Sequence, residues 1–161
     1  MAAADSEQLT AALEFRRLSP EMEEGLAEFF SAIEKQGDAS HFHPHSFTAE
    51  EAKKRCLHVG RDLYYVAVSG EQVLAYGMLR GWDEGYAVPS LGIAVHPRAR
   101  GMKLGLAMMH FLHSAAQQRG ASQVRLKVNK DNFAAYSMYQ KLGYQFEREQ
   151  EGQLIGFMKL S

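Results

Sequence analysis

The spacing of apolar residues changes period repeatedly along the chain, and the order of these changes restricts the possible folds more than any other feature. Apolar residues that alternate with polar ones indicate strands, whereas apolar residues three or four positions apart indicate helices. Seven segments have the strand pattern: 14–18, 63–68, 73–80, 88–95, 122–128, 144–148 and 154–160. Four segments have the helical pattern: 20–37, 48–58, 101–119 and 131–142. The order β-α-α-β-β-β-α-β-α-β-β predicts an α/β sandwich around a mixed sheet, because a doubly wound fold would alternate strictly.

The overall composition is that of one globular domain. The chain has 161 residues, of which 46% are apolar and 23% charged, and we expect residues 1–161 to form a single domain with residues 1–10 as a disordered lead-in. The net charge of −1 argues against a nucleic acid as the main partner. The single cysteine, Cys56, excludes an intramolecular disulfide and favours a cytoplasmic location. We expect no membrane partner, since no apolar run is long enough to span a bilayer.

The strand predicted over 88–95 has two unequal faces. Alternation points one set of side chains to one side: Pro89, Leu91, Ile93 and Val95. It points a set of mostly small residues to the other: Val88, Ser90, Gly92, Ala94 and His96. The small face suits either a slender ligand or a closely packed helix, and the strand alone does not distinguish these two interpretations.

A basic, glycine-containing turn follows this strand. The segment R-A-R-G-M-K-L-G, residues 98–105, leads into the predicted helix 101–119. The first turn of a helix has N–H groups without intrahelical partners, and Arg98, Arg100 and Lys103 add positive charge there. The combination favours a phosphate or pyrophosphate site, although a solvated basic turn is the simpler alternative. The spacing matches neither the Walker A motif nor G-x-G-x-x-G, which disfavours ATP and dinucleotides.

Two runs together resemble the central motifs of the GNAT acetyltransferase superfamily. They are LGIAVHPRARGMKLGLAMMHFL and VRLKVNKDNFAAYSMYQKLGYQ, and the resemblance covers about residues 63–160. The family's Gln/Arg-x-x-Gly-x-Gly/Ala motif falls on Arg98, Gly101 and Lys103, where lysine replaces a small residue. Its Asn-x-x-Ala-x-x-x-Tyr pattern falls on Asn132, Ala135 and Tyr139.

The resemblance implies a mostly antiparallel central sheet with helices on both faces, and acetyl-CoA as the acyl donor. It implies that pantetheine pairs with the backbone of residues 93–95 and that a backbone N–H near Val95 stabilises the oxyanion. It implies that Asn132 holds the pantetheine arm and that Tyr139 is the general acid. The cofactor-binding residues expected on this basis are Ile93, Ala94, Val95, Arg98, Arg100, Gly101, Met102, Lys103, Leu104, Gly105, Asn132 and Ala135.

The acceptor is less defined. We expect a primary amine of a small molecule, such as an amino sugar or a polyamine. A protein N-terminus or lysine is the alternative acceptor, and a non-catalytic acyl-CoA sensor is the alternative from another class. A homodimer is left open.

The loop H-F-H-P-H-S-F, residues 41–47, is the most unusual stretch of the chain. In proteins of the resembled family this connection borders the acceptor pocket, so His43, His45 and also Ser90 are candidate substrate-binding residues. Glu84, His41 and His96 are further candidates for the base that must deprotonate the amine, beside His43, His45 and Ser90. We expect no metal, because three histidines from one flexible loop make a poor closed site.

Overall fold

The computed structural model describes residues 11–36 and 45–161. Within these residues the elements, in chain order, are β1 (Leu13–Arg17), α1 (Glu23–Lys35), α2 (Ala49–Cys56), β2 (Leu63–Ser69), β3 (Gln72–Arg80), β4 (Ser90–Val95), α3 (Leu104–Gln118), β5 (Gln123–Asn129), α4 (Phe133–Leu142), β6 (Gln145–Gln150) and β7 (Gln153–Lys159). Short 3₁₀ turns precede α1 at Pro20–Met22 and α3 at Pro97–Ala99. The predicted α/β class and element order are confirmed.

The strands form one sheet in the order β1-β2-β3-β4-β5-β7-β6. Neighbouring strands are antiparallel everywhere except between β4 and β5, which are parallel. The β4–β5 pair is also the only one in the described sheet held by a single register position, Ser90 opposite Arg125. The two halves of the sheet therefore meet at a splayed junction.

Helices cover both faces of the sheet and create two apolar cores. On one face, α3 and α4 contribute Leu104, Met108, Leu112 and Tyr139 to a core with the inward residues of β5. On the other face, α1 supplies Leu26, Phe29, Phe30 and Ile33, which pack against β2 and β3. Gly77 of β3 permits the close approach of α3, since a Cβ there would lie 2.7 Å from the Met108 sulfur. α3 therefore packs closely against the sheet beside β4.

Helix boundaries were predicted well where a local signal sets them. The Thr48 hydroxyl caps α2 by accepting a hydrogen bond from the Glu51 N–H at 3.1 Å, as the capping-box pattern predicts. Gly143 ends α4 in a left-handed conformation, with φ of 113°. The dipeptide Ser19-Pro20 predicts a helix start with Ser19 as N-cap, and this prediction is wrong. The Ser19 side chain makes no cap hydrogen bond, and the chain passes through a 3₁₀ turn before α1.

The predicted start of the third helix at Gly101 is wrong by three residues. Gly101 and Lys103 both have positive φ, 82° and 59°, and this conformation interrupts a right-handed helix. The first helical residue is consequently Leu104.

Three sequence predictions lie outside the described residues: the lead-in 1–10, His41 and His43. No helix within residues 11–36 and 45–161 has the length and apolar character needed to cross a membrane.

Candidate functional site

The splay between β4 and β5 leaves one edge of β4 without a strand partner. The Arg125 N–H donates to the Pro89 carbonyl oxygen at 3.0 Å, and the two strands then diverge. On the opposite edge, β4 stays paired with β3 from Ser90 to Val95. The wedge between β4 and β5 is therefore open along most of β4.

Backbone hydrogen bonding shows which amides face this wedge. The His96 N–H donates to the Leu74 carbonyl oxygen of β3 at 2.8 Å. Because amide direction alternates along a strand, the N–H and C=O groups of Leu91, Ile93 and Val95 face β5 instead. Within the described chain, the Val95 carbonyl accepts one bond, from the Arg100 guanidinium at 3.4 Å. The Ile93 groups and the Val95 N–H, which lie beyond the single register position of β4 and β5, are available to an extended ligand that adds like a strand.

A first cavity of about 780 Å³ occupies the wedge and continues to the start of α3 and α4. Most of the predicted cofactor residues line it: Ile93, Ala94, Val95, Arg100, Gly101, Lys103, Leu104, Gly105, Asn132 and Ala135. Tyr139 also lines it. Arg98 and Met102 do not, and the Met102 side chain is 54% exposed. The fold thus brings the two motif regions together around one space.

The N-terminus of α3 opens into this cavity. The Ala107 N–H makes the first helical bond, to the Lys103 carbonyl oxygen at 3.1 Å. The N–H groups of the three preceding residues, 104–106, therefore lack helical partners, and the Lys103 side chain does not cap them. No atom lies within 4 Å of where a Cβ on Gly101 would stand, so the turn beside the helix leaves room for a bulky anion.

Gly105 lies in the first turn of α3 and faces β4. A Cβ at this position would lie 3.6 Å from Val95 Cγ2 and 3.9 Å from Ile93 Cδ1. These are ordinary van der Waals distances, and they show that the helix N-terminus lies close to the open edge of the strand. Helix N–H groups without helical partners and the open edge of β4 consequently share one cavity.

Asn132 and Tyr139 complete the first cavity from the side of α4. The Asn132 Oδ1 caps α4 by accepting from the Ala135 N–H at 3.3 Å, which leaves the amide nitrogen of the side chain for a ligand. The helix starts at Phe133, so Asn132 precedes the helix that was predicted to contain it.

Tyr139 is 8% exposed, and its hydroxyl makes no hydrogen bond with a described residue. Burial raises the pKa of Tyr139 to about 12. The side chain therefore remains protonated at neutral pH and presents a hydroxyl that can donate to a ligand.

Two of the predicted substrate or base residues lie elsewhere. The His45 ring donates from Nδ1 to the Ser46 carbonyl oxygen and accepts at Nε2 from the Tyr76 hydroxyl, each at 2.8 Å. Burial lowers the pKa of His45, which favours the neutral ring. His96 accepts from the Arg98 N–H through Nδ1 at 3.1 Å and packs near Phe29. Neither histidine lines the first cavity or the second cavity described next.

A second cavity, of about 740 Å³, lies on the other side of the β4–β5 junction. It shares Leu91, Gly92 and Lys127 with the first cavity. Ser90 and Glu84, two of the predicted candidates, line it. The two spaces therefore meet at the point where β4 leaves β5.

The sequence prediction missed four basic residues that line the second cavity: Arg80, Arg125, Lys127 and Arg148. Arg125 and Lys127 alternate with the apolar residues of β5, so their direction away from the α3 core was readable as a strand pattern. Arg148 reaches the same cavity only because β6 and β7 fold back on β5. No local signal in the sequence indicates that approach.

The profile of the Acetyltransferase (GNAT) family matches residues 20–144. An acetyltransferase of Sodalis glossinidius is 35% identical over 95 residues, which cover 58% of this chain and 65% of that protein. One of Pectobacterium atrosepticum is 34% identical over 93 residues, with 57% and 64% covered. The matches thus span less than two thirds of either relative.

The fold is similar to that of a PaiA N-acetyltransferase of Thermoplasma acidophilum, whose crystal structure contains coenzyme A. That similarity has a TM-score of 0.77 at 19% identity and covers 92% of this chain and 99% of the other. The family match extends over both walls of the first cavity. This chain is therefore a member of the GNAT acetyltransferase family.

Proposed function

We propose that this protein is an N-acetyltransferase that moves an acetyl group from acetyl-CoA to a primary amine of a small molecule. The observation that carries the proposal is the first cavity, where the open edge of β4, the N-terminus of α3 and the Tyr139 hydroxyl converge. Membership of the family supports the reaction, and the coenzyme A in the Thermoplasma structure supports the donor.

Distinct groups in the first cavity suit the parts of this donor, which when bound supplies an acetyl thioester. The free N–H groups of residues 104–106, with Arg100 and Lys103, would bind the phosphates. The backbone of Ile93 and Val95 would pair with the pantetheine amides. The Asn132 side chain would hold the arm from the opposite wall.

The chemical step requires one acid and one base. The amine nitrogen forms a bond to the thioester carbonyl carbon, and the carbon–sulfur bond breaks. The Val95 N–H would stabilise the negative charge that develops on the carbonyl oxygen. Tyr139 would donate its hydroxyl proton to the departing sulfur and regain one from solvent.

Glu84 is the best-placed candidate for the base. A free alkylamine has a pKa of about 10.4, so it must lose a proton before it attacks at neutral pH. Glu84 is the one carboxylate among the residues that line the second cavity, whereas His45 and His96 line neither cavity. We therefore assign the role of base to Glu84, which would accept the proton directly or through water.

The second cavity supports a small molecule as acceptor. Its volume of about 740 Å³ falls in the range of about 300–1,000 Å³ that is common for small-molecule pockets. A protein N-terminus or lysine is the competing acceptor.

The cytoplasmic location and a homodimer remain predictions. Cys56 is buried, and burial raises the pKa of its thiol to about 11, so this thiol is inert.

Two measurements test the proposed function. Saturating acetyl-CoA should raise the melting temperature, because a ligand that binds only the folded state stabilises it. Release of free coenzyme A thiol should then depend on an added amine. No thermal stabilisation would exclude the donor, and stabilisation without thiol release on any amine, peptide amines included, would identify a binding module instead.

A further inference from the structure

We infer that the acceptor amine carries an anionic group, a carboxylate or a phosphate, and that the basic side chains of the second cavity bind this group. The inference rests on the proposed function and extends it to the class of acceptor. The lining of the second cavity contains four cationic side chains and one carboxylate: Arg80, Arg125, Lys127, Arg148 and Glu84. This excess of positive charge is local, since the whole chain has a net charge of −1.

The alternation of side chains along β5 places Arg125 and Lys127 in the second cavity. Val124, Leu126 and Val128 of β5 are buried in the core beneath α3 and α4. The alternate residues Arg125 and Lys127 must therefore project from the opposite face of the sheet. Arg125 stands in register with Ser90 of β4, which lines the same cavity.

The third cation comes from a different strand. Arg148 of β6 lies opposite Ile155 of β7, and Ile155 lies opposite Lys127 of β5. These pairings put Arg148 and Lys127 two strands apart on the same face of the sheet. Three cations from two separate strands thus converge on one space.

No carboxylate of residues 11–36 and 45–161 pairs with Arg125, Lys127 or Arg148. Arg125, Lys127 and Arg148 form no ion pair with a residue in the described ranges, although Lys130 of the same region pairs with Glu149 at 3.0 Å. The Arg125 Nε is buried and makes no hydrogen bond within those ranges. The partly buried Arg125 loses solvation without a counter-charge, and an anionic ligand would compensate this cost. Lys127 and Arg148 are exposed, and their positive charge would attract the same ligand.

The position of the second cavity fits an acceptor that reacts at one end and is held at the other. Lys127, Leu91 and Gly92 line both cavities, so the junction is where an amine would meet the donor. Glu84 offers the amine its only negative neighbour in the lining. A polyamine would place extra positive charge among the cations, and we therefore expect it to be a poor acceptor.

The test uses pairs of amines that differ by the anionic group alone, with coenzyme A thiol release as the readout. The pairs are 4-aminobutanoate with butylamine, O-phosphoethanolamine with ethanolamine, and glucosamine 6-phosphate with glucosamine. We expect the anionic member of at least one pair to have a kcat/KM at least about tenfold higher. The first pair reports a carboxylate and the other two report a phosphate, so the preferred pair identifies the group.

Substitutions then connect the preference to these residues. Arg125→Gln and Arg148→Gln should each raise KM for the anionic amine by about tenfold, with little change for its neutral counterpart. Arg148 is exposed on the outermost strand, so its substitution does not put the fold at risk. Lys159→Gln is the matched control, because Lys159 is an exposed lysine of β7 outside both cavities.

The possible failures are distinguishable. A protein that acetyl-CoA does not stabilise refutes the proposed function itself. A protein that acetyl-CoA stabilises, but that acetylates no anionic member better than its neutral counterpart, refutes the acceptor class alone. A preference that survives both arginine substitutions also refutes the assignment to the second cavity.

Discussion

The two cavities that meet at the β4–β5 junction are built from different parts of the chain. The first presents backbone N–H groups, three glycines and a helix N-terminus, mostly within residues 91–106. The second presents long charged side chains from the end of β3 and the turn after it, and from β5 and β6. A ligand held by backbone groups depends on chain conformation, whereas a ligand held by side chains depends on residue identity. The comparison predicts that changes in the two cavities will separate donor binding from acceptor choice.

The largest expected effect is on the chemical step. Tyr139→Phe removes the hydroxyl and keeps the ring that packs in the core, so kcat should fall by about 100-fold or more. The melting-temperature shift with acetyl-CoA should stay close to that of the unchanged protein. Full turnover in Tyr139→Phe, measured by thiol release where chemistry is rate-limiting, would show that another group protonates the sulfur.

The raised pKa of Tyr139 predicts how turnover depends on pH. Its pKa of about 12 keeps the hydroxyl protonated throughout the range where the enzyme is assayed. Deprotonation of Tyr139 should therefore cause no loss of turnover between pH 8 and 10. Any decline in this range should also occur in Tyr139→Phe. A high-pH decline present in the unchanged protein and absent in the variant would contradict this raised pKa.

The next largest effect concerns the backbone of the first cavity. Gly101→Ala adds a methyl group to the turn and should weaken coenzyme A binding by about tenfold, because it crowds the space for the phosphates. It should also cost about 1 kcal/mol of unfolding free energy, since φ is 82°.

Gly120→Ala is the matched control for this effect. Gly120 follows α3 at the opposite end from the cavity, has φ of 93°, and likewise has open space at its Cβ position. It should lose similar stability in thermal unfolding, while isothermal titration shows unchanged coenzyme A affinity. Equal loss of affinity in both variants would mean that strain, rather than the cavity, explains the effect.

The smallest effect tests the unusual lysine of the motif. Lys103 holds a left-handed conformation that favours glycine, so Lys103→Gly should raise the unfolding free energy by about 0.5–1 kcal/mol. If its ammonium group contacts phosphate, the same change should weaken coenzyme A binding severalfold.

Glu151→Gly supplies the comparison. Glu151 is the other described non-glycine residue with positive φ, at 52°, and it lies in the β6–β7 turn. It should gain similar stability with no change in coenzyme A affinity. If Lys103→Gly also left the affinity unchanged, Lys103 would have no role in binding the donor.

The fold and the first cavity were largely predictable because their signals are local. Apolar periodicity predicted the element order, and the Asn132-to-Tyr139 spacing predicted two residues that the fold does bring to one cavity. The start of α3 was missed because Gly101 is compatible with several conformations. The start of α3 is set by the left-handed backbone of the turn, which apolar periodicity does not indicate.

The acceptor side was much less predictable. The histidine loop suggested a substrate contact, yet His45 bonds to Tyr76 among aromatic residues beneath the sheet. Nothing local distinguishes such a histidine from one exposed to ligand, because the difference lies in which distant side chains pack against it.

The sequence by itself determined the class of fold, the family and the segment that forms the open edge beside a helix N-terminus. These features depend on neighbours within a few residues, so periodicity and motif spacing report them. Only the tertiary structure decided that β5 pairs with β4 at one position and that Arg148 joins Arg125 and Lys127 in the second cavity. Strand pairing between distant segments creates that space, and its charge follows from three side chains that are not adjacent in sequence.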